Sequence, residues 1–97
     1  MAKERDLLLK ARIKLEDDDW IVWRPYKVKF AQSDIFGVFD FVCVKFGCIQ
    51  FVQVTTLPNM AARRNKIRDF FEIAGRIKDC YVWGYEEKTK EFREFLV

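Results

Sequence analysis

An α/β domain, built as a mixed sheet flanked by helices, is the fold this sequence predicts, and three features predict it. Two stretches repeat apolar residues at helical spacing. Between and after them lie short segments rich in β-branched and aromatic residues, bounded by Gly, Pro and Asp. Those segments are apolar at most positions, so both faces of the sheet need cover, and helices must supply it.

The elements follow in order. Residues 3–15 read as a helix, with Leu7, Leu8, Ala11 and Leu15 on one side and Lys3, Arg5, Lys10 and Lys14 on the other. The acidic run Glu16-Asp17-Asp18-Asp19 breaks that pattern as a loop. Residues 20–24 form a strand, and Pro25 assigns its end to an edge or terminus. Residues 38–45 and 49–55 form two more strands, joined through Phe46-Gly47-Cys48 as an antiparallel hairpin. Thr56-Leu57-Pro58-Asn59 signals entry to a helix, with Asn59 as the expected cap. That helix covers 60–74 and buries Met60, Ile67, Phe70, Phe71 and Ala74, while Arg63, Arg64, Lys66 and Arg68 lie off the buried stripe. Gly75 ends it. Residues 81–85 and 92–96 read as strands with a turn over 86–90. The predicted order is αβββαββ.

The 97 residues fit one domain, 1–97, with one core. A hydrophobic fraction of 51%, including ten Phe, excludes a disordered chain. No run is long and apolar enough to predict a membrane span. The start lacks the apolar centre of a signal peptide, so the expected setting is cytoplasmic: inside a cell, or a host cell if the protein is viral. Histidine is absent, which excludes histidine acid–base and triad chemistry. Cys43, Cys48 and Cys80 are odd in number and form no CxxC, so a zinc site has no support. They are expected as reduced thiols acting as small hydrophobes. Net charge is only +3, but the basic residues concentrate in 59–78, as on a helix that faces phosphate. The alternative use of such a run is a solvated face.

The chemistry centres on Asp40 and on Phe51-Val52-Gln53-Val54-Thr55. A hairpin can bring Asp40 on one strand and Gln53 on the next within reach of one ion, and alternation puts Gln53 and Thr55 on one face. Mg²⁺ is a hard cation that prefers oxygen ligands, chiefly carboxylate. In phosphodiester hydrolysis it activates water and offsets the charge that builds on the phosphate, while a nearby Lys orients the water or neutralises the transition state. These demands account for a pattern of Asp followed by Glu-x-Lys.

The stretch 34–44 together with 49–55 resembles the PD-(D/E)XK nuclease superfamily, in particular small archaeal or viral members related to Holliday junction resolvases and restriction endonucleases. The resemblance implies a restriction-endonuclease-like αβββαβ core and a metal-dependent DNA endonuclease. It implies Mg²⁺ or Mn²⁺ held by Asp40, Gln53 and the backbone carbonyl of Val54, with Thr55 positioning water or phosphate. Gln53 stands where the superfamily has Glu, and Thr55 stands where it has Lys. Glu4 and Asp34 are candidate supporting acids, although Asp34 also suits a turn before Gly37 and Glu4 suits the start of a helix. Arg63, Arg64, Lys66 and Arg68 are the candidate DNA contacts, and one of the first three would stand in for the missing lysine. The implied partners are DNA and a second copy of the chain, as a homodimer. Two alternatives stay open: a catalytically inert DNA-binding relative, and a structural or protein-interaction module. Trp20, Trp23, Tyr81 and Trp83 could stack on bases or pack in the core and hairpins.

Overall fold

The computed structural model describes residues 4–25 and 34–97. Its elements are α1 (Glu4–Asp17), β1 (Ile21–Trp23), β2 (Phe41–Lys45), β3 (Cys48–Thr56), a 3₁₀ turn (Leu57–Asn59), α2 (Met60–Ala74), β4 (Cys80–Glu86) and β5 (Glu91–Leu96). The order matches the αβββαββ read from the sequence. The strands make one five-stranded sheet in the order β1-β2-β3-β4-β5. Neighbours are antiparallel except β3 and β4, which run parallel because α2 carries the chain back along the sheet between them.

The helices take opposite faces, giving three layers. Leu7, Leu8, Ala11 and Leu15 of α1 pack on Val22, Phe41, Cys43, Val52, Val54, Trp83 and Tyr85. Ile67 of α2 packs on Phe39, Cys80 and Val82, with Phe51 and Phe70 beside it. Strand alternation explains the split, since Val52 and Val54 face α1 while Phe51 faces α2. The start of α2 sits close on β4, where a Cβ on Gly84 would run into the Met60 side chain.

Several boundaries differ from the sequence reading. Glu16 and Asp17 continue α1, and the chain leaves the helix at Asp18 and Asp19, where Asp19 takes a positive φ of 67°. Asn59 makes no side-chain cap; its amide donates to Thr56 Oγ1 at 3.0 Å, inside the preceding 3₁₀ turn. Of the stripe expected to be buried on α2, Ile67 is fully buried, Met60, Phe70 and Phe71 are partly buried, and Ala74 is exposed. Gly75 does end the helix, at φ 85°, with its N–H bonded to Phe71 O. The hairpin loop is only Phe46-Gly47, both at positive φ, and Cys48 belongs to β3. Cys48 is exposed, whereas Cys43 and Cys80 are buried as expected.

The difference that matters most is at the start of β2. Strand pairing begins at Phe41, not at residue 38. Phe39 and Phe41 are two residues apart yet lie in opposite cores, so the period of two breaks at Asp40. The cause lies just upstream. Gly37 N–H bonds Asp34 O at 3.0 Å, Phe36 and Gly37 take φ of 55° and 71°, and Ile35 bridges back to Phe39. This tight loop turns the chain away from β3 beyond Asp40.

Candidate functional site

The divergence of β2 from β3 leaves one strand group to be satisfied. Asp40 N–H donates to Val52 O at 2.9 Å, one residue out of the register that pairs Phe41 with Val52. Two residues along β3, Val54 N–H has no β2 carbonyl to meet and instead donates to the Asp40 carboxylate, Oδ2, at 2.7 Å. A buried backbone donor needs such an acceptor, and the bond is short because the acceptor is a carboxylate. Gln53 Nε2 donates to the same oxygen at 3.2 Å and to its neighbour's carbonyl, Val54 O, at 3.3 Å. Asp40 and Gln53, both buried, therefore meet as the hairpin predicts, and the backbone of Val54 joins them.

The chemistry of this cluster is unusual in two respects. Burial pushes the Asp40 carboxyl up from 3.8 to about 6. The Val54 N–H opposes that rise, the charges of Asp34 and Glu4 add to it, and Arg24 works against it. Second, Gln53 Oε1 is buried with no hydrogen-bond partner among the described residues. The amide points its NH₂ end at the two oxygens, Asp40 Oδ2 and Val54 O. Turning the amide end for end would put Oε1 beside both, a set of three oxygens that a cation, or a proton on Asp40, would hold together. A carboxylate, an amide oxygen and a backbone carbonyl are the hard donors Mg²⁺ or Mn²⁺ takes, so the residues fit the ion through that orphaned oxygen. Among the described residues no group of three or more His, Cys, Asp or Glu is placed to hold a metal, so Glu4 and Asp34 act on Asp40 through their field.

Beside the cluster, at the end of β3, lies a cleft of about 170 Å³ lined by Glu4, Leu7, Val54, Thr55, Asn59 and Arg63. Thr55 is buried, on the strand face shared with Gln53. Arg63 brings a positive charge from the first turns of α2 to the place where Thr55 supplies none. Arg64 turns elsewhere: its guanidinium lies 4.3 Å from the centre of the Phe95 ring on β5. Lys66 is half-buried and Arg68 is exposed, further along α2. Asp34 forms the turn to Gly37 and also sits near enough to raise the Asp40 pKa.

Arg24 is the residue the sequence reading missed. An antiparallel β1–β2 pair with Trp23 opposite Val42 brings the end of β1 back toward the start of β2, and that register was the available signal. The aromatics divide. Trp83 is buried, and Trp20 and Tyr81 pack at the edge of the same core. They line a larger hollow, about 440 Å³, on the α1 side. The ammonium groups of Lys14 and Lys45 already lie over the Trp83 and Trp20 rings, at 5.3 and 5.4 Å. Trp23 is exposed instead of packed.

Among the described residues no helix is long and apolar enough to cross a membrane. Comparison with protein-family models, curated proteins and solved structures yields no match to this chain.

Proposed function

We propose that the chain is a PD-(D/E)XK-type domain that acts on DNA as a metal-dependent endonuclease. The carrying observation is the meeting of Asp40, Gln53 and Val54 where β2 leaves β3. Further support comes from the αβββαβ order with a mixed sheet between two helices, the arrangement expected of a restriction-endonuclease-like core. Asp40, Gln53 Oε1 and the Val54 carbonyl would hold Mg²⁺ or Mn²⁺. The bound ion would supply an activated water and offset charge on the phosphate. Arg63 and Thr55 line the same cleft, where Arg63 would supply the positive charge of the lysine absent at Thr55 and Thr55 would orient water or a phosphate oxygen. Backbone contacts from α2 would give affinity with little sequence readout.

The inert DNA-binding relative is favoured by one specific observation. Gln53 already donates its own NH₂ to Asp40 Oδ2 and Val54 O, the two oxygens an ion would have to engage. One experiment separates the two readings. Supercoiled and four-way DNA are incubated with Mg²⁺ or Mn²⁺, and binding is followed in parallel by gel shift. Cutting that Asp40→Ala removes supports the endonuclease. Salt-dependent binding with no cutting under either ion supports the inert relative, and no binding at low salt rejects both.

A further inference from the structure

Where α1 ends, at Asp17, the hollow of about 440 Å³ opens on the sheet face. Its size is within the range of sites for small ligands. Trp20, Tyr81 and Trp83 line it with rings, and Asp17, Asp18 and Glu94 line it with carboxylates. Against these acids stands the one ammonium of Lys14, so the lining is negative. The helix adds to that field, because acids at the C-terminal end of a helix sit where its dipole is already negative. The chain itself shows what such a lining attracts. Lys14 lies over Trp83 and pairs with Glu94 at 3.1 Å. Lys45 lies over Trp20 and donates to Asp18 O at 2.7 Å, with the Asp18 carboxylate at 3.4 Å. Each lysine joins a ring to a carboxylate. Two parts of the lining are left over: among the described residues Asp17 has no ion-pair partner, and no cation lies over the Tyr81 ring.

We propose that this hollow binds a quaternary ammonium group, of the kind carried by choline or trimethyl-lysine. Rings and a negative field attract any organic cation, and the acceptors still open decide which. A cation with N–H groups needs oxygens at hydrogen-bond distance, and Glu94 and Asp18 are already engaged by Lys14 and Lys45. What stays open is ring surface on the half-buried Trp20 and Tyr81, together with the charge of Asp17. A quaternary ammonium has no N–H to satisfy and is held by ring faces and field alone. Anionic ligands, DNA phosphates included, are repelled by the same carboxylates. The hollow lies at the opposite end of α1 from Glu4 and the Asp40 cleft, so the site stands whether or not the domain cuts DNA.

The test is a titration of the full chain with choline chloride at constant ionic strength, followed by proton–nitrogen correlation NMR. The three tryptophans give three indole N–H signals. Those of Trp20 and Trp83 should move and saturate at about 1–10 mM choline, the range of a small ligand held by one ammonium. That of Trp23, exposed on the other face of the sheet, should stay where it is. Dimethylbutanol, in which carbon replaces the choline nitrogen, should bind at least about 10-fold more weakly for want of the charge. Tyr81→Leu keeps apolar bulk and removes the ring, and should weaken choline binding by about 3- to 30-fold. If circular dichroism shows that variant unfolded, Trp20→Leu replaces it, read at Trp83. Lys14→Gln withdraws the cation that competes for Trp83 and should tighten choline binding. Trimethyl-lysine amide identifies the source: tighter binding than choline points to a modified side chain of a partner, and equal or weaker binding to a free small cation. The proposal is overturned if no indole signal moves saturably, if Trp23 moves as far as the other two, or if dimethylbutanol binds as tightly as choline. It is equally overturned if the loss of a ring leaves choline affinity unchanged, or if Lys14→Gln weakens it.

Discussion

Under α1 the sheet buries Val22, Phe41, Cys43, Val52 and Val54 beneath Leu7, Leu8, Ala11 and Leu15, with Gln50 at the end of the layer. On the α2 side the same strands bury Asp40, Gln53 and Thr55 and leave Ile21, Trp23 and Ile49 in water. The first face holds what folding favours. The second inverts the rule at both ends of β3: polar groups are taken out of solvent where the strand finishes, and apolar groups are left in it where the strand begins. Burying an acid costs stability unless it is paired, and exposing apolar rows wastes burial. A fold carries the first cost where something other than its own stability is served, whereas an apolar patch of this size is within what a monomer ordinarily exposes.

The largest effect that would break this contrast is catalytic. If the polar end of the α2 face is an ion site, Asp40→Ala should lower Mg²⁺-dependent cutting of supercoiled DNA by about 10³-fold or more, as expected for loss of a principal transition-state contact. Thermal melting of the same variant at neutral pH should fall only modestly, because relief of the buried charge offsets part of the loss of an acceptor for Val54 N–H.

Stability should divide the faces in the opposite sense. Leu15→Ala opens a cavity beneath α1 and should cost about 2–5 kcal/mol in urea unfolding. Ile49→Ala, half-exposed on the other face, should cost less than about 0.5 kcal/mol. Equal losses would mean that the α2 face is closed in solution.

The pH dependence sharpens the contrast further. Asp40 has a pKa of about 6 in the fold against 3.8 unfolded, so between those values the folded state holds the extra proton. Stability is therefore greatest below about pH 4, falls as pH rises to about 6 and is flat above; this one group accounts for about 3 kcal/mol. Asp40→Asn keeps an oxygen for Val54 N–H and removes the charge. It should equal the wild type near pH 4 and exceed it by up to about 3 kcal/mol at pH 8, while losing any metal-dependent activity. An identical slope in the variant would show that Asp40 is not the group responsible.

How much of this could be read in the chain depends on the kind of signal. The α1 face was fully legible, because Leu7, Leu8, Ala11 and Leu15 repeat at helical spacing and all four are buried. The meeting of Asp40 with Gln53 followed from hairpin geometry. The break in alternation at Asp40 was not legible, since 38–45 is a continuous strand-like run and only the loop from Asp34 to Gly37 turns Phe39 to the other core. Nor was the cap at Asn59, where Thr56 competes for the side chain. The direction of each basic residue on α2 was hidden for a related reason. Periodicity separates buried from exposed, but does not say which neighbour a long cation finds.

Arg63 and Arg64 turn that last point into the finest of the tests. They are adjacent in sequence, equal in charge and both half-buried, yet one lines the cleft with Thr55 and Glu4 while the other lies over Phe95. If DNA approaches the polar end of the face, Arg63→Ala should weaken binding several-fold, alike for all sequences, and reduce the slope of log K against log salt by about one phosphate contact. Arg64→Ala should leave that slope unchanged and show itself in the sheet, as lowered stability from the lost cover on β5. If both arginines change the slope equally, DNA runs along the whole of α2, and the cleft holds no special position in binding.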